Sequence, residues 1–498
     1  MINYNNTFYE VNDGIVFNKI DERILVYKNK FYELKGDNLE IFKLLISRGK
    51  FNLEDRFKRK FLILYKIGLI KECTYGIKEL IISKDTNIFK YENKFYIVNF
   101  KYGNINELSE NDYKKLKAKD LSLSESSITD LLIKNYLQYK TNKESINNKE
   151  IKDKRVYIIF SYNCNMQCVY CFESHVNKNH ISQDTFNKIL NLVKDIDSRY
   201  NQTIVLYGGE PLLDENYNCI QALFNNELKR TKFDIITNGT NIDRYKELFL
   251  EFREKINDFI ITLDGTEDIH NKRRRFGSNS FTIIIKNIET LIKNNFTVKI
   301  RINLDDKNIS CQADLIKYLN EIFRENTQKL VIEYHRVEEK KNPLYEPISF
   351  KKLYELAKNN KSSNILVLYN DEIINRFINP SFYCKNEYYS DNYCDYYNNI
   401  VIDFNGSIYH CNEAMGNKDM IIEHIDRFKL DSLYENKTND LTEKCKWCRY
   451  FVICKGNCFM ENKIKKDLIN RPVCRRKQYD DLINFIIENN SVKGIGNI

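Results

Sequence analysis

Six short apolar runs limit what this chain can become. They are VYIIF (156–160), TIVLY (203–207), FDIIT (233–237), DFIITL (258–263), VKIRINL (298–304) and LVIEY (330–334). Stretches of helical period lie between them, among them DTFNKILNLVKDI (184–196) and NSFTIIIKNIETLIKNN (279–295). Short β-rich runs alternating with amphipathic helices predict repeated βα units around a parallel sheet. Six units are too few to close an eight-stranded barrel. The expected fold class is therefore α/β, an open, partial (β/α)6 barrel over residues 153–340.

The residues with chemical capability sit just after the strands. CNMQCVYC (164–171) follows the first, GGEP (208–211) the second, NGT (238–240) the third and DGT (264–266) the fourth. Sites in parallel βα folds form at the carboxyl ends of the strands. Four such segments converging on one mouth describe a single active site, a stronger signal than any one motif.

The chain has 14 cysteines, unevenly placed. Cys164, Cys168 and Cys171 are separated by three and then two residues. Eight more come late: Cys384, Cys394, Cys411, Cys445, Cys448, Cys454, Cys458 and Cys474. The N-terminal MINYNNTFYE lacks the basic stretch and apolar core of a signal peptide. The most apolar stretch, FLILYKIGLI (61–70), is too short to span a bilayer. A cytoplasmic location is expected, where clustered cysteines bind metal rather than form disulfides. Thiolate sets of this kind suit both structural zinc and iron–sulfur clusters. The trio is one ligand short of a closed tetrahedral site. Cys73, Cys219 and Cys311 stand apart and read as small buried hydrophobes.

Residues 1–80 read as a winged-helix-like α+β module. GIVFNKI (14–20) and RILVYKNKFYEL (23–34) are strands around a turn; DNLEIFKLLIS (37–47) and LEDRFKRKFLILYKIGLI (53–70) are helices. Residues 81–152 echo it, YENKFYIVNF (91–100) resembling YKNKFYELK (27–35), and end in a polar linker. Residues 341–383 form a bridge, 384–480 a Cys-rich domain and 481–498 a helix and tail. The net charge of +9, from 78 basic and 69 acidic residues, is spread thinly. It forms no concentrated stripe, so neither nucleic acid nor membrane is an expected partner. RFKRK (56–60) supports a DNA-binding winged helix, but Phe57 and the apolar run behind it read as packing.

The trio's spacing, with Tyr170 before its last cysteine, and YGGEP (207–211) after the next strand resemble the radical SAM superfamily. In that family three cysteines hold a [4Fe–4S] cluster and leave one iron open. S-adenosylmethionine (SAM) occupies that iron through its amino and carboxylate groups. An electron from the cluster splits the S–C5′ bond and yields a 5′-deoxyadenosyl radical. The resemblance implies that Cys164, Cys168 and Cys171 carry the catalytic cluster. It implies that Tyr170, Gly208, Gly209, Glu210, Pro211, Asn238 and Asn303 line the cofactor pocket. In TLDGTEDIHNKRRR (262–275), it puts Thr262 near the ribose and Arg274 on the methionine carboxylate, where an arginine fork suits. A solvated basic turn is the other reading of Arg273–Arg275.

The late cysteines resemble the SPASM domain. Eleven residues separate Cys394 from Gly406 and four separate Gly406 from Cys411. Gaps of two, five and three follow between Cys445, Cys448, Cys454 and Cys458, and Cys474 closes the set. The resemblance implies one auxiliary cluster on Cys384, Cys394, Cys411 and Cys458, and another on Cys445, Cys448, Cys454 and Cys474. With the SAM-binding cluster this makes three [4Fe–4S] clusters.

In shape and pattern the first 80 residues resemble the elements that bind leader peptides in ribosomal peptide (RiPP) maturation. Such modules take the leader as an added strand. The whole chain thus resembles RiPP maturases such as the thioether-forming (sactipeptide-type) synthases. The resemblance implies hydrogen abstraction from a precursor peptide with a leader sequence, installation of a cross-link such as a Cys thioether, and an electron donor such as flavodoxin or ferredoxin. Carbon–carbon cross-linking is a variant of that chemistry. Sulfatase maturation, which makes formylglycine, shares the SPASM layout. Its enzymes resemble one another in an acid directly after the position of Cys411, where this chain has Asn412 and then Glu413. An amide is a poor base, which leaves Glu413 as the candidate base or as a surface residue. A non-catalytic iron–sulfur electron carrier needs neither GGEP nor six βα units.

Overall fold

The structure is a computed structural model. It describes strand segments between residues 8 and 82, most of 80–139, and then 153–171, 179–277, 279–337, 348–360, 363–378, 399–430, 445, 448, 450–454 and 474–489.

The six predicted strands all form. Lys154–Ile159 (β1), Gln202–Tyr207 (β2), Thr231–Thr237 (β3), Ile256–Thr262 (β4), Thr297–Leu304 (β5) and Leu330–Arg336 (β6) pair in chain order, every pair parallel. The crossovers carry Gln183–Arg199 (α1), Tyr217–Asn225 (α2), Ile242–Glu251 (α3), Glu267–Arg273 (α4), Ser280–Lys293 (α5) and Gln312–Ile322 (α6). The helices start where side chains satisfy free N–H groups. Ser182 Oγ accepts from Thr185 N at 3.1 Å, and Asn279 Oδ1 accepts from Thr282 N at 3.3 Å.

Strand alternation gives the barrel a dry face and a polar face. On β5, Val298, Ile300, Ile302 and Leu304 are buried in the main core, while Lys299, Arg301 and Asn303 alternate with them. Charged groups pair across the polar face. Lys299 Nζ meets Asp258 at 2.9 Å, and an Arg155 guanidinium nitrogen meets Asp234 at 2.7 Å.

Two further strands prolong the parallel sheet. Leu366–Tyr369 (β7) pairs with β6, and Asn399–Ile402 (β8) pairs with β1 on the opposite flank. Ser407–Tyr409 (β9) and Glu423–His424 (β10) then run antiparallel. The two end strands, β7 and β10, have one neighbour each, so the sheet stays open as expected. Because β8 lies beside β1, the late chain is carried to the flank of the strand that leads into the cysteine trio.

Near the N-terminus Val16–Ile20, Arg23–Tyr27 and Phe31–Leu34 form an antiparallel meander. The run 23–34, expected as one strand, is two, Arg23–Tyr27 and Phe31–Leu34, paired antiparallel. Thr86–Tyr91, Lys94–Asn99 and Asn104–Leu108 form a second meander. Each related sequence carries a hairpin turn, but the first joins its meander's second and third strands and the second joins the first and second. The helix expected at 37–47, and that expected at 53–70 up to its last residue, lie outside the described residues; Ile70 instead begins the strand Ile70–Cys73.

The second meander docks on the late chain. The Phe100 ring sits 5.2 Å from that of Tyr450, and Tyr91 Oη donates to Glu488 on the helix Arg476–Asn489 (α7). Among the described residues no helix is long and apolar enough to cross a membrane.

Candidate active site

The cysteine loop leaves the end of β1 and is fixed from below by the GGEP turn. Glu210 N donates to Asn163 O at 2.7 Å. Gly208 and Gly209 have φ of +88° and +27°, and a Cβ on Gly209 would stand 2.1 Å from Asn163 O. Two backbones touch here, which is why the turn needs glycine.

Glu210 is buried, and its carboxylate is spent on the scaffold. Oε1 accepts from Thr237 Oγ1 at 2.6 Å and Leu212 N at 2.9 Å; Oε2 accepts from Asn238 N at 2.6 Å. Burial raises its pKa against the pull of these donors. Asn238 in turn faces the loop: its Nδ2 donates to Asn165 Oδ1 at 2.6 Å and lies 3.9 Å from Cys164 Sγ.

From the other side the loop pairs with the basic segment. Gln167–Cys168 runs antiparallel to Arg274–Arg275, and Val169 N donates to Arg273 O at 3.0 Å. Tyr170 brings these parts together. Its hydroxyl donates to Asp264 Oδ2, and accepts from Arg274 Nη1 at 2.8 Å and Asn303 Nδ2 at 3.1 Å. The Arg273 guanidinium lies 5.1 Å from the Tyr170 ring centre, and its Nη1 donates to both Asp305 oxygens at 2.9 and 2.7 Å. Arg273 and Arg274 are buried, 5% and 7% exposed, so the solvated-turn reading holds for neither. Burial opposes the charge on Arg274, but Tyr170, Cys168 and Asp264 outweigh it and keep the guanidinium firmly charged. Thr262, also buried, ends β4 opposite Arg301.

Of the sequence-nominated residues, Cys164, Cys168, Tyr170, Glu210, Asn238, Arg274 and Asn303 are joined by this one network. Sequence reasoning did not nominate Asp264, Arg273, Asp305 or His335. The DGT motif pointed at Asp264. His335 stands one register step from Glu333 on β6, with its Nε2 3.7 Å from that carboxylate. Burial holds its pKa down, and the charge of Glu413 acts on it from the late chain.

Cys411, Cys445, Cys448 and Cys454 are half-buried and Cys474 is exposed; Cys384, Cys394 and Cys458 lie outside the described residues. Cys448 N donates to Cys445 O at 3.0 Å, and the helical turn Phe451–Cys454 follows. Tyr450 ties this turn to the start of α7, its hydroxyl donating to Asp480 at 2.6 Å and its ring 5.2 Å from Tyr479. Cys474 lies two residues before that helix. Cys219 and Cys311 are half-buried rather than core; the side chain of Cys73 lies outside the described residues.

The radical SAM superfamily model matches residues 158–318. A cysteine-type anaerobic sulfatase-maturating enzyme of Clostridium novyi (strain NT) is 27% identical over 336 residues, covering 60% of this chain and 85% of that enzyme. The radical SAM cyclopropyl synthase TigE of Paramaledivibacter caminithermalis is 25% identical over 269 residues, 44% of this chain and 56% of the synthase. Native anSMEcpe, solved with bound AdoMet and Cp18Cys peptide, shares the fold at a TM-score of 0.51 and 20% identity, covering 68% of this chain and 98% of that one.

A radical SAM domain implies a [4Fe–4S] cluster and SAM, and the residues present fit both. The three thiols share one loop, half-buried. Among the described residues no three His, Cys, Asp or Glu side chains converge on a single ion. An iron–sulfur cube takes one thiolate per iron. Arg274 Nε is buried without a hydrogen-bond partner, a donor suited to a carboxylate. Residues 158–318 are thus a radical SAM domain, and the chain is an enzyme homologous to the anaerobic sulfatase-maturating enzymes.

Proposed function

We propose that this enzyme is a radical peptide maturase that installs a cross-link, a Cys thioether, in a ribosomally made precursor. The observation that carries this reading is the part of the chain anSMEcpe lacks. That structure is matched over 98% of its length yet covers only 68% of this chain. The surplus leaves room for a peptide-recognition module, and two antiparallel meanders precede the barrel. The edge of such a meander is where a leader peptide can add as a strand.

The SAM-bound cluster, when reduced by a donor such as flavodoxin or ferredoxin, supplies the radical that takes hydrogen from a peptide residue. Cys164, Cys168 and Cys171 would hold that cluster. Arg274 would orient the cofactor carboxylate, while Thr262 and Asn303 would line its ribose side. The eight late cysteines would hold two auxiliary clusters, one of which would accept the electron released when the cross-link closes. Asn412 cannot take a proton, so Glu413 would be the base; it is exposed, and its charge reaches His335 on β6.

Formylglycine formation is the second reading, favoured by the match to 85% of the Clostridium novyi enzyme. One experiment separates the two. Anaerobically reconstituted enzyme is given SAM, dithionite and either the Cp18Cys peptide or the product of a short Cys-rich reading frame encoded beside its gene. Loss of two hydrogens with sulfur retained supports the cross-linking reading. An aldehyde with sulfur lost overturns it in favour of sulfatase maturation. A variant with Cys164, Cys168 and Cys171 all changed to Ala is the control and should give no 5′-deoxyadenosine.

A further inference from the structure

Asp264 lies two residues past the end of β4, 0% exposed, and is held from several sides. Its N–H donates to His270 Nδ1 at 3.3 Å, and its carbonyl accepts from Asn308 Nδ2 at 2.7 Å and Gln312 Nε2 at 3.3 Å. Its carboxylate accepts from Asn303 N at 3.1 Å and from the Tyr170 hydroxyl. So α4, β5, the turn after β5 and α6 all grip one residue, and that residue grips the cysteine loop midway between Cys168 and Cys171.

We propose that Asp264 is a positioning residue which, through the Tyr170 hydroxyl, couples capture of the SAM carboxylate at Arg274 to the conformation of the cysteine loop. The two arginines divide the work. Arg273 is a brace: its terminal nitrogens donate to Asp305 and to the Asn303 carbonyl at 3.1 Å, its Nε lies 3.6 Å from the Asp264 carboxylate, and its guanidinium lies over the Tyr170 ring. Arg274 is half committed: one terminal nitrogen donates to Tyr170, while its buried Nε has no partner. A carboxylate arriving at that Nε engages the guanidinium already bonded to Tyr170. The backbone of Arg274 is also the ribbon partner of Cys168. Capture is thus felt at the thiolates by two routes, one through the ribbon and one through the tyrosine. Asp264 fixes the end point of the second. Without it the hydroxyl would follow Arg274, and the loop would not register the ligand.

The test uses the full chain, reconstituted with iron under anaerobic conditions, and the variants Asp264→Asn, Tyr170→Phe and the two combined. Iron content, SAM affinity, and the change that SAM produces in the reduced-cluster EPR spectrum and reduction potential are measured. Both single variants should keep their iron and bind SAM about tenfold more weakly, the effect of losing one charge-assisted hydrogen bond. Both should show a smaller SAM-induced spectral and potential change. The double variant should be no worse than Asp264→Asn alone, because the link that Tyr170→Phe cuts is already broken there. Additive losses would overturn the proposal. So would an unchanged SAM affinity with an unchanged SAM-induced spectrum in iron-loaded protein. Tyr170→Phe deletes one oxygen and keeps the ring under Arg273, so it carries the test should Asp264→Asn fail to fold.

Discussion

The Glu210 carboxylate accepts from the Asn238 N–H at 2.6 Å, tying the turn after β2 to the end of β3. Thr237 Oγ1 and Leu212 N donate to the same carboxylate. Glu210→Ala would leave all three donors buried without an acceptor, at roughly 1–3 kcal/mol each. A loss of at least about 3 kcal/mol is expected, read as a lower denaturant midpoint. Glu210→Gln keeps one acceptor oxygen and should lose less. Equal midpoints for the parent and Glu210→Ala would mean that this clamp contributes nothing to the barrel.

Gly209 gives a sharper case, because the obstacle is backbone. Its φ is +27°, and a Cβ would meet Asn163 O at 2.1 Å with Tyr162 C at 2.6 Å behind it. No side-chain rotation relieves that contact. Gly209→Ala should cost more than about 1 kcal/mol and displace the cysteine loop. Thermal melting and iron content after reconstitution should fall together. Gly277, with nothing within 4 Å of where an alanine methyl would stand, should accept alanine without loss.

The barrel was legible because its strands read as short β-rich apolar runs separated by amphipathic helices. VYIIF and FDIIT fall within one or two residues of β1 and β3. The strand β8 was not legible: NIVI (399–402) is as apolar as the others, but its partner is β1, more than two hundred residues earlier, and no local pattern states a pairing. The site shows the same divide. The trio and GGEP announced themselves through spacing. Asp305 did not, since its importance lies in the buried Arg273 it neutralises. The hairpin at Tyr27–Phe31 was missed because one turn between two β-rich runs looks, in sequence, like a polar patch within a strand.

His270 predicts a pH dependence. It is buried, and burial together with the nearby Arg274 and Arg273 lowers its pKa to about 3. The unfolded chain takes up this proton near its ordinary value of about 6.5, while the folded chain does not. Stability should therefore be unaffected by this group above that pH and fall as the pH drops below it, by up to about 1.4 kcal/mol per unit. Denaturant titrations between pH 7 and 5.5 should show a shallower decline for His270→Gln than for the parent. An identical slope would mean that His270 is protonated in the fold.

Removing the iron should leave the cysteines unequal. Burial pushes the Cys164 thiol up to about 12. At pH 8 that leaves roughly one thiolate in ten thousand, and thiolate is the reactive form. Cys474 is exposed. After chelation, iodoacetamide should label Cys474 at least about a hundredfold faster than Cys164, followed by peptide mass spectrometry. Comparable rates would mean that the loop opens once the metal leaves.

Phe100 tests whether the second meander supports the late chain. It is 2% exposed and packs on Tyr450, which is 1% exposed and itself holds Asp480 and Tyr479. Through Tyr450 it braces the turn carrying Cys445, Cys448 and Cys454 against the helix that follows Cys474. Phe100→Ala should cost roughly 3–5 kcal/mol, the usual range for emptying an aromatic site in a core. The damage should be local. On the proposed reading, in which the late cysteines hold auxiliary clusters, their iron should be lost first, while SAM should still alter the spectrum of the cluster proposed for Cys164, Cys168 and Cys171. The trio's loop is fixed by the GGEP turn and by the ribbon to Arg274, through bonds that involve neither Phe100 nor Tyr450. Uniform loss of all iron would show that the meander stabilises the whole chain rather than this corner of it.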